Sequence, residues 1–406
     1  MPERCVGDVR AAAAAVFRAE AGHLVGSLVR GTGDFALAEE SVQDALLAAL
    51  EHWPSDGIPR RPAAWLWTVS RRIALNRLAR GARYSAKLEA LAALEEEDEP
   101  AQDPDDRLRL IFTCCHPALA RDAQIALTLR AVCGFTTSEI ARAFVAKEST
   151  VAQRIVRAQR KISAAAIRYK MPSEEERADR LREALAVLYL MFNEGYLASV
   201  ASAPFRRDLA KDAAWLMSLL CTLMPDEPEA LGLLALMKLS LARADGRFDE
   251  RGDLVVLAHQ DRSRWDRAVI AEAVALIERA ASMRRVGPYQ IESAIAACHA
   301  ESKSLEATDW AQILTLYDLL SMLAPSPIVA LNRAVAVRQV LGPEAALAEV
   351  TKLEGALSGY HLFHAIRGQL WSELGQLDLS RAARSRALGL TENSAEQALL
   401  RRRLFQ

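Results

Sequence analysis

Two short amphipathic segments in the middle of the chain constrain its local fold more tightly than anything else in the sequence. The first, Thr136-Thr-Ser-Glu-Ile-Ala-Arg-Ala-Phe144, opens with Thr136 and Glu139 at capping-box spacing. Val145-Ala-Lys147 then separates it from Glu148-Ser-Thr-Val-Ala-Gln-Arg-Ile-Val-Arg-Ala-Gln-Arg-Lys161. Ile140, Phe144, Val151 and Ile155 form an apolar seam, and small Ala141 allows a close crossing. This pattern predicts a helix-turn-helix whose turn lacks the usual glycine. On the other face of the second helix, Thr150, Gln153, Arg154, Arg157 and Arg160 project at spacings that suit a nucleic acid. Arg binds guanine O6/N7 or phosphate, and Gln binds adenine. Taken alone, the segment also fits a core helix with a solvated basic face.

Charge in the rest of the front half favours the nucleic-acid reading. Between Arg60 and Lys87 there are eight basic residues and no acidic one. Pro62 opens a helix there, with Arg72, Asn76, Arg80 and Arg83 recurring along one side near Trp65 and Trp67. Trp65 reads as core more readily than as a base-stacking ring. From Leu88 to Asp106 the sign reverses, with nine acidic residues and no basic one. Such a block reads as a self-repelling linker.

At 406 residues the chain should form two or three units. It is 51% hydrophobic, with only 19 Gly and 15 Pro clustered between segments, which predicts an all-α fold. Its net charge of -1 conceals a division: residues 1–170 hold 24 Lys/Arg against 21 Asp/Glu, and residues 171–406 hold 27 against 31. The basic surface is therefore local. No segment reads as a membrane span or a signal peptide, and a cytoplasmic location is expected.

The six cysteines form no paired framework and are expected as thiols. Cys114-Cys115-His116 lacks the second ligand pair of a zinc site and reads as a buried helix end before Pro117. His361 and His364 lie at one-face spacing without a matching carboxylate. No metal, cofactor or catalytic residue is expected. Asn193, Glu194, Glu250, Asp253, Asp261 and Asp266 supply carboxyl or amide groups, but no phosphate loop, nucleophile elbow or H-E-x-x-H motif accompanies them.

The C-terminal half reads as stacked helix pairs. Ala330-x3-Ala334 and Leu341-Gly342 are echoed by Ala365-x2-Gly368 and Leu374-Gly375, close to a tetratricopeptide period of about 34 residues. Such stacks present concave surfaces to protein partners.

Several strings together carry a resemblance. Phe17-Arg-Ala-Glu20, Gly33-Asp34-x4-Glu39-Glu40-x2-Gln43-Asp44, Trp53-Pro-x2-Gly57-x-Pro59-x2-Pro62-x2-Trp65-Leu66 and the Arg-rich helix resemble domain two of an extracytoplasmic-function (ECF) sigma factor of the sigma-70 class. Leu108–Leu119 with the helix-turn-helix is similar to domain four of one ECF subgroup. Phe192-Asn-Glu-Gly-Tyr196, Gln260–Asp266, Gly287-Pro-Tyr289, Thr308-Asp-Trp310 and Pro325–Val335 continue the likeness into a tetratricopeptide-like extension.

The resemblance implies domain two over 1–87, an acidic linker over 88–106, domain four over 107–171 and the extension over 172–406. It implies that Asp34, Glu39, Glu40, Gln43 and Asp44 face the β′ subunit of RNA polymerase core, with β also a partner. Asp56, Arg60, Arg61, Arg71, Arg72, Asn76, Arg77 and Arg80 would meet the −10 element of promoter DNA. The residues of the second helix would meet the −35 element. Many members carry Asp where this chain has Asn76. Asn193, Glu194, Tyr196, Asp261, Arg264, Trp265 and Asp266 are candidate contacts of the extension, although the two strings also read as a helix end at Gly195 after Arg182–Phe192 and as a loop held by Arg–Asp pairs. The subgroup's association with small DGPF-type (YCII-related) proteins makes one a candidate partner. A helix-turn-helix regulator with a helical-repeat sensor is the alternative, but it leaves the Asp34–Asp44 face unexplained; a repeat scaffold explains less still.

Overall fold

The computed structural model describes residues 3–80, 104–144, 146–165, 167–196, 204–249, 254–391 and 394–404. The expected all-α fold is present: among the described residues the elements are helices, with one isolated bridge between Phe248 and Leu254. The expected linker lies outside the described residues up to 103, as does Val145 of the helix-turn-helix turn. Two compact units divide the chain, one of residues 1–195 with 204–216 and one of residues 196–203 with 217–406.

The first unit begins with α1 (Glu3–Thr32), α2 (Phe35–Asp56) and α3 (Pro62–Arg80). Asp34 caps α2 by accepting from the Leu37 N–H at 3.0 Å. Gly57 ends it at φ +85°, a left-handed position that favours glycine. Phe17, Leu24, Leu28, Trp53, Leu66 and Trp67 are sealed inside, each contributing about 1.5–3 kcal/mol by burial. Trp65 is half-buried and meets the Trp53 ring edge-on at 5.5 Å.

Next come α4 (Pro104–Cys114), α5 (Arg121–Leu127) continuing into a π turn over Thr128–Val132, α6 (Thr137–Ala143) and α7 (Glu148–Ala164). The Gln124 amide donates to the carbonyls of Cys115 and His116 at 3.2 and 2.9 Å and so holds the end of α4. Cys114 and Cys115 are buried there as free thiols. No metal-binding group of side chains occurs among the described residues.

The helix expected over Arg182–Phe192 is longer. As α8 it spans Glu174–Tyr196, with Gly195 buried inside it rather than beyond its end. Ser173 and Glu176 cap its start reciprocally. Arg180 donates to the Phe112 carbonyl, and Arg121 pairs with Glu183 at 2.9 Å, so α8 packs with the helices before it. The expected boundary at 171/172 therefore falls inside the first compact unit.

A further helix, α9 (Pro204–Leu223), has residues in both units. The second unit continues with α10 (Pro228–Ala242), α11 (Arg267–Ser282), α12 (Pro288–Glu301), α13 (Trp310–Leu323), α14 (Pro327–Leu341), α15 (Pro343–Thr351), α16 (Glu354–Leu357), α17 (His361–Glu373), α18 (Leu377–Leu390) and α19 (Ser394–Leu404). From α10 to α15 and from α17 to α19 sequential neighbours pack together, with α10 also touching α12 and α15 touching α17. Glu229 of α10 accepts from the backbone N–H groups of Tyr289 and Gln290 at 3.1 Å each, capping α12 from another helix. A Cβ on Gly287 would overlap that carboxylate, which accounts for Gly in Gly287-Pro-Tyr289. No described helix is long and apolar enough to cross a membrane.

Candidate nucleic-acid and polymerase interfaces

The helix-turn-helix forms as its capping signal predicts. The Thr136 hydroxyl accepts from the Glu139 N–H at 3.2 Å, and Glu139 accepts from the Thr136 N–H at 2.8 Å. Val151, Ile155, Ala158 and Ile162 bury one face of α7. Thr150, Gln153, Arg157 and Arg160 lie exposed on another. Arg154 is set apart from that stripe: it is half-buried and pairs with Asp122 of α5 at 3.2 Å.

Around α3 the candidates also divide. Asp56, Arg60, Arg61, Arg72 and Asn76 are exposed, whereas Arg71 is half-buried. Arg77 bridges to α2, donating to Glu40 at 3.3 Å and Asp44 at 2.6 Å. The Arg80 side chain lies outside the described residues.

The acidic set on α2 does not make one exposed face. Asp34 is engaged as the cap, while Glu40 and Asp44 hold Arg77 at the surface. Glu39 and Gln43, one turn apart, are buried at 1% and 8% exposure. Glu39 accepts from Arg130 Nε at 2.5 Å and from Gln159 Nε2 at 2.8 Å. Burial pushes its carboxyl above the usual range despite the opposing pull of Arg130. Neither Arg130 nor Gln159 stood out in the sequence, because each lies far along the chain from Glu39.

In the second unit Gln260–Asp266 is largely a structural corner. Trp265 is 2% exposed, and Arg243 and Arg262 face its ring at 5.8 and 5.0 Å. Arg262 donates to the carbonyls of His299 and Ser302. Asp261 and Asp266 cap the turns they precede, in place of the expected Arg–Asp pairs. Arg264 is exposed. Asn193, Glu194 and Tyr196 are half-buried, and Arg247 stacks over the Tyr196 ring at 3.9 Å.

An arginine-bearing helix, a capped helix-turn-helix and an acidic helix between them define a sigma-70 type of transcription factor. The family models Sigma-70 region 2 and Sigma-70, region 4 match residues 16–84 and 109–162. The ECF RNA polymerase sigma factor SigL of Mycobacterium tuberculosis (strain H37Rv) is 31% identical over 37% of this chain and 88% of its own. The chain belongs to the ECF family of RNA polymerase sigma factors, initiation factors that bind polymerase core and promoter DNA and are not enzymes. Residues 180–281 match a Family of unknown function (DUF6596). Uncharacterized protein R00370 of Rhizobium meliloti (strain 1021) is 44% identical over 94% of this chain and 92% of its own. No solved structure matches the chain.

Proposed function

We propose that α7 enters the major groove of the −35 element with Thr150, Gln153 and Arg157 toward the bases and Arg160 toward phosphate. The exposed stripe opposite a buried apolar face carries this reading. Asp56, Arg60, Arg61, Arg72 and Asn76 serve the −10 element, where an unstacked base is held while arginines bind the backbone. Arg71, Arg77 and Arg80 belong to the same helix and are assigned to that DNA on the family resemblance. Glu40 and Asp44 offer acidic groups to the basic surface of β′, with Glu39 and Gln43 behind them; β completes the polymerase contact.

The helical extension is read as a tetratricopeptide-like regulatory module. Asn193, Glu194 and Arg264 are its candidate contacts, a small DGPF-type protein its candidate partner and the cytoplasm its setting. Run-off transcription with purified core polymerase tests the whole assignment. Defined start sites that require this chain are expected; duplex binding without promoter-dependent initiation would favour the regulator alternative.

A further inference from the structure

Within the first unit the helix-turn-helix packs on the helix assigned to polymerase. Arg130, in the π turn, donates from Nε to Glu39 of α2 at 2.5 Å and from Nη1 to the Thr137 hydroxyl at the start of α6 at 2.6 Å. Gln159 of α7 supplies the second donor to Glu39, and Gln43 donates back to the Arg130 carbonyl at 3.5 Å. A second set of contacts ties α4 to α1. Asp106, 1% exposed, joins Arg30 at 2.7 Å and Arg109 at 2.9 Å, and the Tyr169 hydroxyl donates to its carbonyl at 2.7 Å. Gly26 lets these groups approach α1, since a Cβ there would lie 2.7 Å from Tyr169 Oη and 2.9 Å from Asp106 Cβ. A cleft along the seam is lined by Arg160 together with Asp34 and Glu40, so DNA-facing and polymerase-facing groups meet there.

Apart from the local Arg130–Thr137 and Asp106–Arg109 pairs, these contacts join residues from 63 to 120 positions apart, which helix geometry alone does not produce. A buried carboxylate is costly unless it is paired and hydrogen-bonded, and Glu39 has both kinds of partner. We propose that the free chain is held closed by a latch of Glu39, Arg130 and Gln159, which covers part of the polymerase face of α2, and that core polymerase engages α2 fully only after the latch opens. This rests on the reading of α2 as the polymerase-facing helix. A basic polymerase surface offers Glu39 the same chemistry as Arg130, so opening exchanges one cationic partner for another and is readily reversed.

The test uses the full-length chain. Carbodiimide coupling of glycine ethyl ester, read by mass spectrometry, reports whether Glu39 is accessible in the free protein. Stopped flow with core polymerase at pH 8 gives the association rate. Gln159→Glu sets a second carboxylate against Glu39, and Arg130→Gln removes the guanidinium. Glu39 is expected to be protected relative to Glu40 in the wild type. Both variants should expose it and associate about tenfold faster, the effect of losing one hydrogen bond to a charged group. The wild-type footprint needs no variant, so a substitution that unfolds the chain leaves the closed state testable. Equal labelling of Glu39 and Glu40, or wild-type association rates in both variants, overturns the latch even with run-off transcription intact. Absence of promoter-dependent transcription by the wild type removes the polymerase assignment of α2, and the latch with it.

Discussion

The Arg77 guanidinium on α3 meets the Asp44 carboxylate on α2 at 2.6 Å. A residue assigned to promoter DNA and one assigned to polymerase are thereby partners of each other. Both are about two-fifths exposed, so the pair contributes under about 1 kcal/mol to stability and remains exchangeable. Arg72, on the exposed side of the same helix, has no such ion-pair competitor among the described residues. Arg72→Ala is therefore expected to weaken promoter binding more than Arg77→Ala and to lower the salt slope by about one. Salt titrations of promoter complexes measure this; an equal or larger loss for Arg77→Ala means that Arg77 leaves Asp44 when DNA arrives.

On α7, Gln153→Ala or Arg157→Ala should cost about 1–3 kcal/mol and relax one −35 position. Arg160→Ala should weaken all promoters alike. Arg154 is engaged with Asp122, so its removal should have the smallest effect on base preference. A promoter library scored with each variant separates these outcomes, and uniform losses across the library would remove the base-reading assignment.

Glu292 on α12 gives the second unit a pH dependence. Burial, assisted by the nearby Glu229 charge, raises its carboxyl to about 7, and the neighbouring Tyr317 hydroxyl is pushed up to about 12. A carboxyl raised on folding contributes stability below its unfolded value, and that contribution is lost as pH climbs through about 7. The swing is about 3 kcal/mol at most. His299 has the opposite slope: burial first, then Arg243 and Arg262, lower it to about 4, so its contribution is lost as pH falls from its unfolded value through about 4. Denaturant melts from pH 4 to 8.5 should show Glu292→Gln losing the decline that runs up to about pH 7, while the opposing rise set by His299 over much the same window is kept. An unchanged slope below about pH 7 in Glu292→Gln would count against this account of Glu292.

Cys114 and Cys115 are expected to resist alkylation until the chain unfolds. Burial raises both thiols, Cys115 to about 11, and reactivity requires an accessible thiolate. Half-buried Cys298 should react sooner. Peptide mapping after brief iodoacetamide treatment gives the order of labelling, and early modification at Cys114 would contradict it.

The packing of α8 changes where the extension can be cut. A chain ending at Pro172 loses the Arg121–Glu183 pair and leaves the Phe112 carbonyl without the Arg180 donor, whereas one ending at Met224 keeps α8 and α9. The shorter fragment should melt at a clearly lower temperature than the longer one. Calorimetry compares them directly, and equal melting would show that α8 contributes little. Normal promoter activity in the longer fragment would defeat the regulatory reading of the extension.

Much of the local structure was legible because its signals are local. Thr136 and Glu139 announce α6, Pro62 opens α3, and the Val151/Ile155 seam orients α7. The burial of Glu39 was not. Its neighbour Glu40 is chemically the same, and only the helical rotation of about 100° between them separates the interior from the surface. The partner that decides the matter, Arg130, is 91 residues away. Trp265 misled for a related reason: polar neighbours suggest a surface loop, but Arg262 spends its charge on backbone carbonyls under the indole.

The carboxylate of Glu229 and the bare Cα of Gly287 bear on how this chain is able to diverge. A methyl group at 287 collides with the carboxylate, while loss of the carboxylate leaves the N–H groups of Tyr289 and Gln290 without that acceptor. Each single step is disfavoured for a different reason, one steric and one electrostatic. Descendants that alter either position are therefore expected to carry a compensating change at the other, and the two sites should drift as a pair although 58 positions part them in sequence.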